Sequence, residues 1–159
     1  MNRSTPLGIL IAAFGIACAG APLFAAEPQP WPWKSKLPPD PALVSLTSVE
    51  DVTAAINKSN PPTVTITVNA SAPTPDFSEL QLAPRMGDPN DLIFAFDVKG
   101  RPSQDQTNQV TTPVTFTVEY TDAPIDKVGV VEINAQNNCK AFSLTENKAV
   151  DCTSQSTPQ

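Results

Sequence analysis

Side chains that could act as nucleophiles or metal ligands are few in this 159-residue chain, which has three cysteines and no histidine. The absence of histidine excludes Ser-His and Cys-His catalysis, His-ligated zinc or copper, and a histidine pH switch. The glycines that follow residue 26 are Gly87, Gly100 and Gly129, too scattered for a phosphate-binding loop or a nucleophile elbow. We therefore predict a protein that is not an enzyme and has no catalytic residues and no cofactor.

Two carboxylates interrupt apolar stretches of the sequence. Asp97 lies within residues 92–98, and Glu132 lies within residues 128–133. A carboxyl group buried in an apolar strand resists ionisation and can act as a general acid. This keeps a carboxylate-based hydrolase of extracellular polymer as an alternative. We favour the simpler interpretation, in which both acids lie at strand ends or on a solvated face.

An acidic tetrapeptide, Asp88-Pro89-Asn90-Asp91, follows Gly87 and offers oxygen ligands of the kind that Ca²⁺ takes. The segment lacks the full calcium-loop pattern and a closing glutamate at the required offset. Asp, Asn and Pro together are ordinary turn residues. We therefore predict a plain turn and no metal, with a Ca²⁺-dependent enzyme kept under the hydrolase alternative.

Cys139 and Cys152 are predicted to form a disulfide. If they face each other across a hairpin, residue pairs such as Ala141 with Val150 follow, and the turn is centred between residues 145 and 146. A bridge that ties the C-terminal segment to a loop is the alternative, because Asn137 and Asn138 form turns readily; there is no Cys-x-x-Cys motif, so either bridge is expected to be structural rather than redox-active.

The first 26 residues have the layout of a secretory signal peptide, with Arg3 at the start and an apolar stretch over residues 7–24. Cleavage is expected within residues 19–26. A lipoprotein acylated at Cys18 is disfavoured because Gly15 stands where an aliphatic residue is usual. We predict export to the periplasm or extracellular space, with no membrane span after cleavage, and an even cysteine count suits that oxidising compartment.

The charge balance is acidic. The formal net charge is −6, and removal of a leader that contains Arg3 and no acidic residue makes it −7. Nucleic-acid binding needs clustered Lys and Arg, so we expect no nucleic-acid partner. An acidic surface would instead suit a basic protein partner.

Residues 27–41 form an arm that is rich in proline and is predicted to be extended rather than part of a sheet. It contains Trp31 and Trp33. We expect these two side chains to dock on the domain's own surface, and partner binding through Trp31 and Trp33 is the alternative.

One helix is predicted after the arm. Thr47 and Glu50 have the spacing of a capping box, and Val49, Val52 and Ile56 recur at helical steps. The prolines that follow at positions 61 and 62 would end this helix.

Strands are predicted further along. Residues 63–68 and 113–120 alternate polar and apolar side chains, whereas residues 92–98 and 128–133 are apolar on both faces and are placed centrally. A weaker strand covers residues 78–82. A proline-containing loop is expected to join the strands at 113–120 and 128–133 as an antiparallel hairpin.

The predicted fold class is all-β, a small antiparallel β-sandwich over residues 42–153 that is immunoglobulin-like in broad architecture, with a short N-terminal helix. A half-open barrel or an α+β sheet is the alternative. Residues 154–159 are expected to form a disordered tail.

The predicted function is that of an exported, non-catalytic interaction module of the periplasm or cell envelope, of the inhibitor or accessory-subunit type. It would bind a protein or glycan partner through a sheet edge, a loop or the tryptophan arm. A structural envelope component without a discrete ligand is the other alternative. Rows of threonine on one sheet face could bind polysaccharide, but we favour the simpler interpretation of β-branched residues on a solvated surface.

Overall fold

The computed structural model describes residues 27–35, 40–85, 92–103 and 110–153. The predicted signal peptide, the acidic turn at residues 88–91 and the predicted tail lie outside these ranges. The described chain forms two β-sheets that enclose one apolar core. Its elements are β1 (Gln29–Pro30), α1 (Pro32–Ser35), β2 (Val44–Ser45), β3 (Ser48–Asn57), β4 (Thr63–Ala72), β5 (Ser78–Pro84), β6 (Ile93–Arg101), β7 (Thr112–Thr121), β8 (Val130–Asn134), β9 (Cys139–Ser143) and β10 (Lys148–Val150).

The first sheet, sheet A, has the strand order β1-β7-β4-β3. Strands β4 and β7 confirm the two alternating patterns, and they pair antiparallel over their whole length. Val64, Ile66 and Val68 point into the core and are fully buried, while the threonines between them point outward. Strict alternation therefore sets one dry face and one wet face, as expected.

The second sheet, sheet B, has the order β10-β9-β8-β6-β2, with β5 also paired to β6. The predicted central position of β6 is confirmed. The predicted hairpin between β7 and β8 is wrong, because β8 pairs in parallel with β6 in the other sheet. A turn in which the backbone N–H groups of Lys127 and Val128 donate to the Pro124 carbonyl carries the chain from sheet A to sheet B.

The predicted helix over residues 47–57 is also wrong, because this segment is strand β3. A β-bulge shifts the pairing register with β4 between Val49 and Asp51. The extra residue places Val49 and Val52 on the same buried face although they are three positions apart. Beyond the bulge the buried positions return to a period of two, so the apparent helical spacing is a bulged strand.

The proline-rich arm contributes to the sheet, contrary to its predicted exclusion. β1 pairs in parallel with the end of β7, and the Trp31 backbone N–H donates to the Thr121 carbonyl at 3.1 Å. A proline is tolerated here because β1 is a two-residue edge strand. The single helical turn α1 follows directly.

The all-β class and the disulfide between Cys139 and Cys152 are confirmed. Strands β9 and β10 pair in the predicted register, with Ala141 opposite Val150 and the turn at residues 144–147. The described residues contain no helix that is long and apolar enough to span a bilayer.

Candidate functional site

Strand β3 has a free edge. It lies at the end of sheet A, and within the described ranges it is paired with β4 alone. After the bulge, residues 52–57 pair with β4 in unbroken register, and this stretch contains neither proline nor a charged residue. Such an edge presents unpaired backbone N–H and C=O groups and is a template for another strand.

The other sheet ends in the described part of the chain are poorer templates. β1 has two residues and includes Pro30, and β10 has three residues. β5 has a register shift between Ser78 and Gln81 and ends at Pro84. Short length, bulges and proline are features that blunt a sheet edge. β2 has two residues, and the side of β7 away from β4 is paired in the described residues only at Tyr120 and Thr121, so residues 112–119 are a second open edge that contains Pro113 and Glu119. Residues 52–57 of β3 are therefore the regular open edge that has neither proline nor charge.

The start of the β3 edge is closed by one side chain. The Asn138 carboxamide accepts from the Val49 backbone N–H at 2.8 Å and donates to the Val49 carbonyl at 2.8 Å. It thus takes the place of a neighbouring strand for one residue and links sheet B to sheet A. The edge opens only beyond this point.

Two grooves follow the open part of the edge. The first, of about 410 Å³, is lined by residues 50–52 of β3, by residues 139–141 and by residues 149–152. The second, of about 440 Å³, is lined by residues 53–55 of β3 and by residues of β4, β9 and the β9–β10 turn, namely Thr65, Thr67, Phe142 and Asn147. The grooves border consecutive residues of β3, and we call the two together the β3 track.

The first groove is acidic. Glu50, Asp51 and Asp151 line it together with one cation, Lys140. The Ser48 hydroxyl donates to the Glu50 carboxylate at 2.6 Å, and the Ser71 hydroxyl donates at 3.2 Å. These hydrogen bonds lower the pKa of Glu50, with Lys140 adding a smaller effect in the same direction. The carboxylate therefore stays ionised well into mildly acidic solution.

The two tryptophans follow β1, at the opposite end of sheet A from β3. Trp31 is 1% exposed and belongs to the core, with its ring edge-on to Phe94, Phe96 and Tyr120. Trp33 is half-buried and packs against the same cluster. The expected docking on the domain's own surface is what the structure has for Trp31, which offers no area to a partner.

Asp97 and Glu132 have different surroundings. Asp97 is half-buried and accepts from the Arg85 guanidinium at 2.9 Å. Glu132 is 0% exposed, so its predicted position at a strand end or on a solvated face is wrong. Its carboxylate accepts from the Thr153 backbone N–H at 2.9 Å and lies within 4.8 Å of both cysteine sulfurs. Neither acid lines the β3 track.

The predicted threonine rows exist on the outer face of sheet A. Thr53, Thr67 and Thr117 occupy one row across three strands, and the hydroxyls of the last two are 2.9 Å apart. The hydroxyl of Thr115 donates to the Asn69 side chain in the next row at 2.7 Å. These groups satisfy one another in part, which leaves fewer free donors for a glycan.

Sequence reasoning missed the β3 track. Its acidic residues come from two segments far apart in the chain, and the bulge at Glu50 made β3 resemble a helix. The available signal was the run of residues 52–57, in which Val52, Ala54 and Ile56 alternate with Thr53, Ala55 and Asn57 as in a strand.

Comparison with known proteins found no matching family model, no similar curated protein and no similar solved structure.

Proposed function

We propose that this protein is an exported, non-catalytic interaction module that binds an extended, basic protein segment along the β3 track. The segment would pair with the free edge of β3 as an added strand, and its Lys or Arg side chains would lie beside the carboxylates of the first groove. The observation that carries the proposal is the long, uncharged edge of residues 52–57 with grooves along it.

Main-chain hydrogen bonds give affinity in this mode of recognition, and the flanking grooves select side chains. The first groove has three carboxylates against one lysine, which complements a basic segment. An address in the periplasm or extracellular space, and a role as inhibitor or accessory subunit, are parts of the same proposal. An immunoglobulin-like architecture is also part of the proposal. The two sheets support it, and the parallel pairing of β6 with β8 is a departure from a purely antiparallel sandwich.

The test uses a synthetic peptide of about ten residues, the length of a long strand, in which Lys and Val alternate. We expect the chain to bind this peptide, with affinity that falls as salt is added, and to bind an alternating Glu-Val peptide more weakly. Isothermal titration calorimetry measures both. Equal binding of the two peptides would overturn the electrostatic part of the proposal.

A matched pair of variants locates the site. Thr53→Lys places a cation on the free edge, whereas Thr117→Lys places the same cation in the same row on β7, away from the edge. We expect Thr53→Lys to weaken binding at least about tenfold, because like charges in an interface cost several kcal/mol. Thr117→Lys should bind almost as the wild type does. Loss of peptide binding with Thr117→Lys alone would contradict the β3 track and favour the threonine face.

A further inference from the structure

The most unusual group outside the β3 edge is the buried carboxylate beneath the disulfide. Glu132 lies in the middle of β8, is 0% exposed, and offers a carboxylate oxygen within 4.8 Å of the sulfurs of Cys139 and Cys152, which are themselves within that distance of each other. The three residues come from β8, from the first position of β9 and from the segment after β10. Only the fold brings them together.

The carboxylate is oriented by its neighbours. The Thr153 backbone N–H donates to Glu132 Oε2 at 2.9 Å, and the Asn134 amide donates to Oε1 at 3.4 Å. Asn134 is also fully buried, and its Oδ1 atom has no hydrogen-bond partner within the described residues. An acceptor without a donor therefore lies beside the cluster, where it could accept from a metal-bound water.

We propose that Cys139, Cys152 and Glu132 form a three-ligand zinc site when the disulfide is reduced. Two thiolates and one carboxylate are a donor set that Zn²⁺ accepts, and three protein ligands leave its fourth position open to water. Thr153 and Asn134 would serve as the outer shell that orients the carboxylate. No sequence motif signals this site, because its ligands lack the spacing of a zinc-binding motif.

The redox step is balanced by a dithiol reductant. Two successive thiol–disulfide exchanges break the Sγ–Sγ bond, so the bridge gains two electrons and two protons while the reductant becomes a cyclic disulfide. Zn²⁺ then displaces one proton from each thiol as two zinc–thiolate bonds form. Access is available, since both cysteines are half-buried rather than buried and line the first groove. The sequence-based expectation of a purely structural bridge would then hold for the oxidised form alone.

The experiment titrates Zn²⁺ into the full chain, oxidised or reduced with a phosphine, in competition with a chromophoric chelator. The phosphine takes its oxygen from water as it is oxidised and contributes no thiol of its own. We expect the reduced chain to bind one Zn²⁺. The oxidised chain should bind Zn²⁺ much more weakly. Equal binding by both forms, or a reduced chain that binds no zinc, would overturn the proposal.

Variants separate this cluster from the groove carboxylates. Glu132→Gln should lower the zinc affinity of the reduced chain by at least about tenfold, since even the loss of an outer-shell partner has an effect of that size. Asp151→Asn alters an exposed carboxylate that lines the same groove and is the matched control, so its affinity should not change. The reverse order of effects would assign zinc to the groove surface.

A second variant guards against misfolding of Glu132→Gln. Thr153→Pro removes the backbone N–H that orients the carboxylate and retains all three ligand residues in the sequence. We expect weaker zinc binding and an altered visible spectrum when Co²⁺ is used as the probe, with the β-sheet circular dichroism of the oxidised form retained. An unchanged zinc affinity and an unchanged cobalt spectrum would contradict the role of Glu132 as a ligand.

Discussion

The two edges of sheet A are finished in opposite ways. At one edge the arm adds β1 beside β7 and buries Trp31 in the core, so the strand is short and anchored by a large side chain. At the other edge β3 runs for ten residues, and one carboxamide, that of Asn138, covers its start. Proteins normally protect an exposed sheet edge with a short strand, a proline, a charge or a bulge. The contrast is the reason for proposing β3 as the edge that a partner would pair with.

The arm covers the end of the β7 edge. In the described residues it pairs with β7 at Tyr120 and Thr121, and Trp31 anchors it by packing edge-on to three aromatic rings. Aromatic pairs of this kind add to the free energy gained from burial.

The largest expected effect comes from removing the buried side chain that anchors the arm. Trp31→Ala should lower the free energy of unfolding by about 3–5 kcal/mol, because it removes a fully buried indole and leaves a cavity. Urea denaturation measures this change. Trp33→Ala is the control, and its loss should be smaller because Trp33 is half-buried. Similar losses in the two variants would mean that the arm docks as a loose unit.

The disulfide joins two residues that line the groove beside β3. Replacing Cys139 and Cys152 together by serine should destabilise the fold by about 3 kcal/mol, since the bridge closes a loop with a sequence separation of 13 residues. Thermal or urea denaturation of the oxidised wild type and of the double variant measures this loss of stability. An unchanged stability would show that β9 and β10 hold their hairpin without the bridge.

Extending the open edge is the next test. Asn138→Ala should lower the free energy of unfolding by about 1–3 kcal/mol, because the Val49 backbone loses both partners in a half-buried setting. It should also lengthen the free edge and increase self-association, which sedimentation velocity detects. Asn137→Ala is the control, because its hydrogen bond to the Thr47 carbonyl comes from the backbone N–H and survives the change. Equal effects of the two changes would contradict the role given to the Asn138 carboxamide.

The smallest expected effect is on the pKa of Glu50, which lies at the start of the unpaired edge of β3. Replacing Ser48 and Ser71 by alanine should raise the pKa of Glu50, because the two hydroxyls that stabilise its charged form are lost. The folded-state pKa is depressed in the wild type, so this stabilisation is present above the unfolded-state pKa and is lost as pH falls through the folded-state value. NMR titration of the Glu50 side chain measures the shift, and an unchanged pKa would contradict the assignment.

Much of the fold was predictable from local pattern. β4 and β7 alternate without error, so their buried faces follow from the sequence. The β9–β10 register followed from placing the two cysteines opposite each other. β3 was mistaken for a helix because a single inserted residue turns a period of two into a step of three, and a bulge has no signature of its own in this segment.

The candidate site was not predictable in the same way. Glu50 and Asp151 are 101 positions apart in the sequence and line one groove only because β3 contacts the β9–β10 hairpin. Glu132 was expected near solvent, since a carboxylate is costly to bury. Its carboxylate is held by Asn134, two residues along the same strand, and by the Thr153 backbone, which reaches it only through tertiary packing.

Side-chain alternation and the two downstream cysteines were thus sufficient to specify a disulfide-linked β protein, because each strand face and the hairpin register depend on near neighbours in the chain. Which strands meet, which edge stays open and which acid is buried were decided by the packing of the two sheets. Those outcomes depend on contacts between residues that are distant in the chain, and no local pattern encodes them.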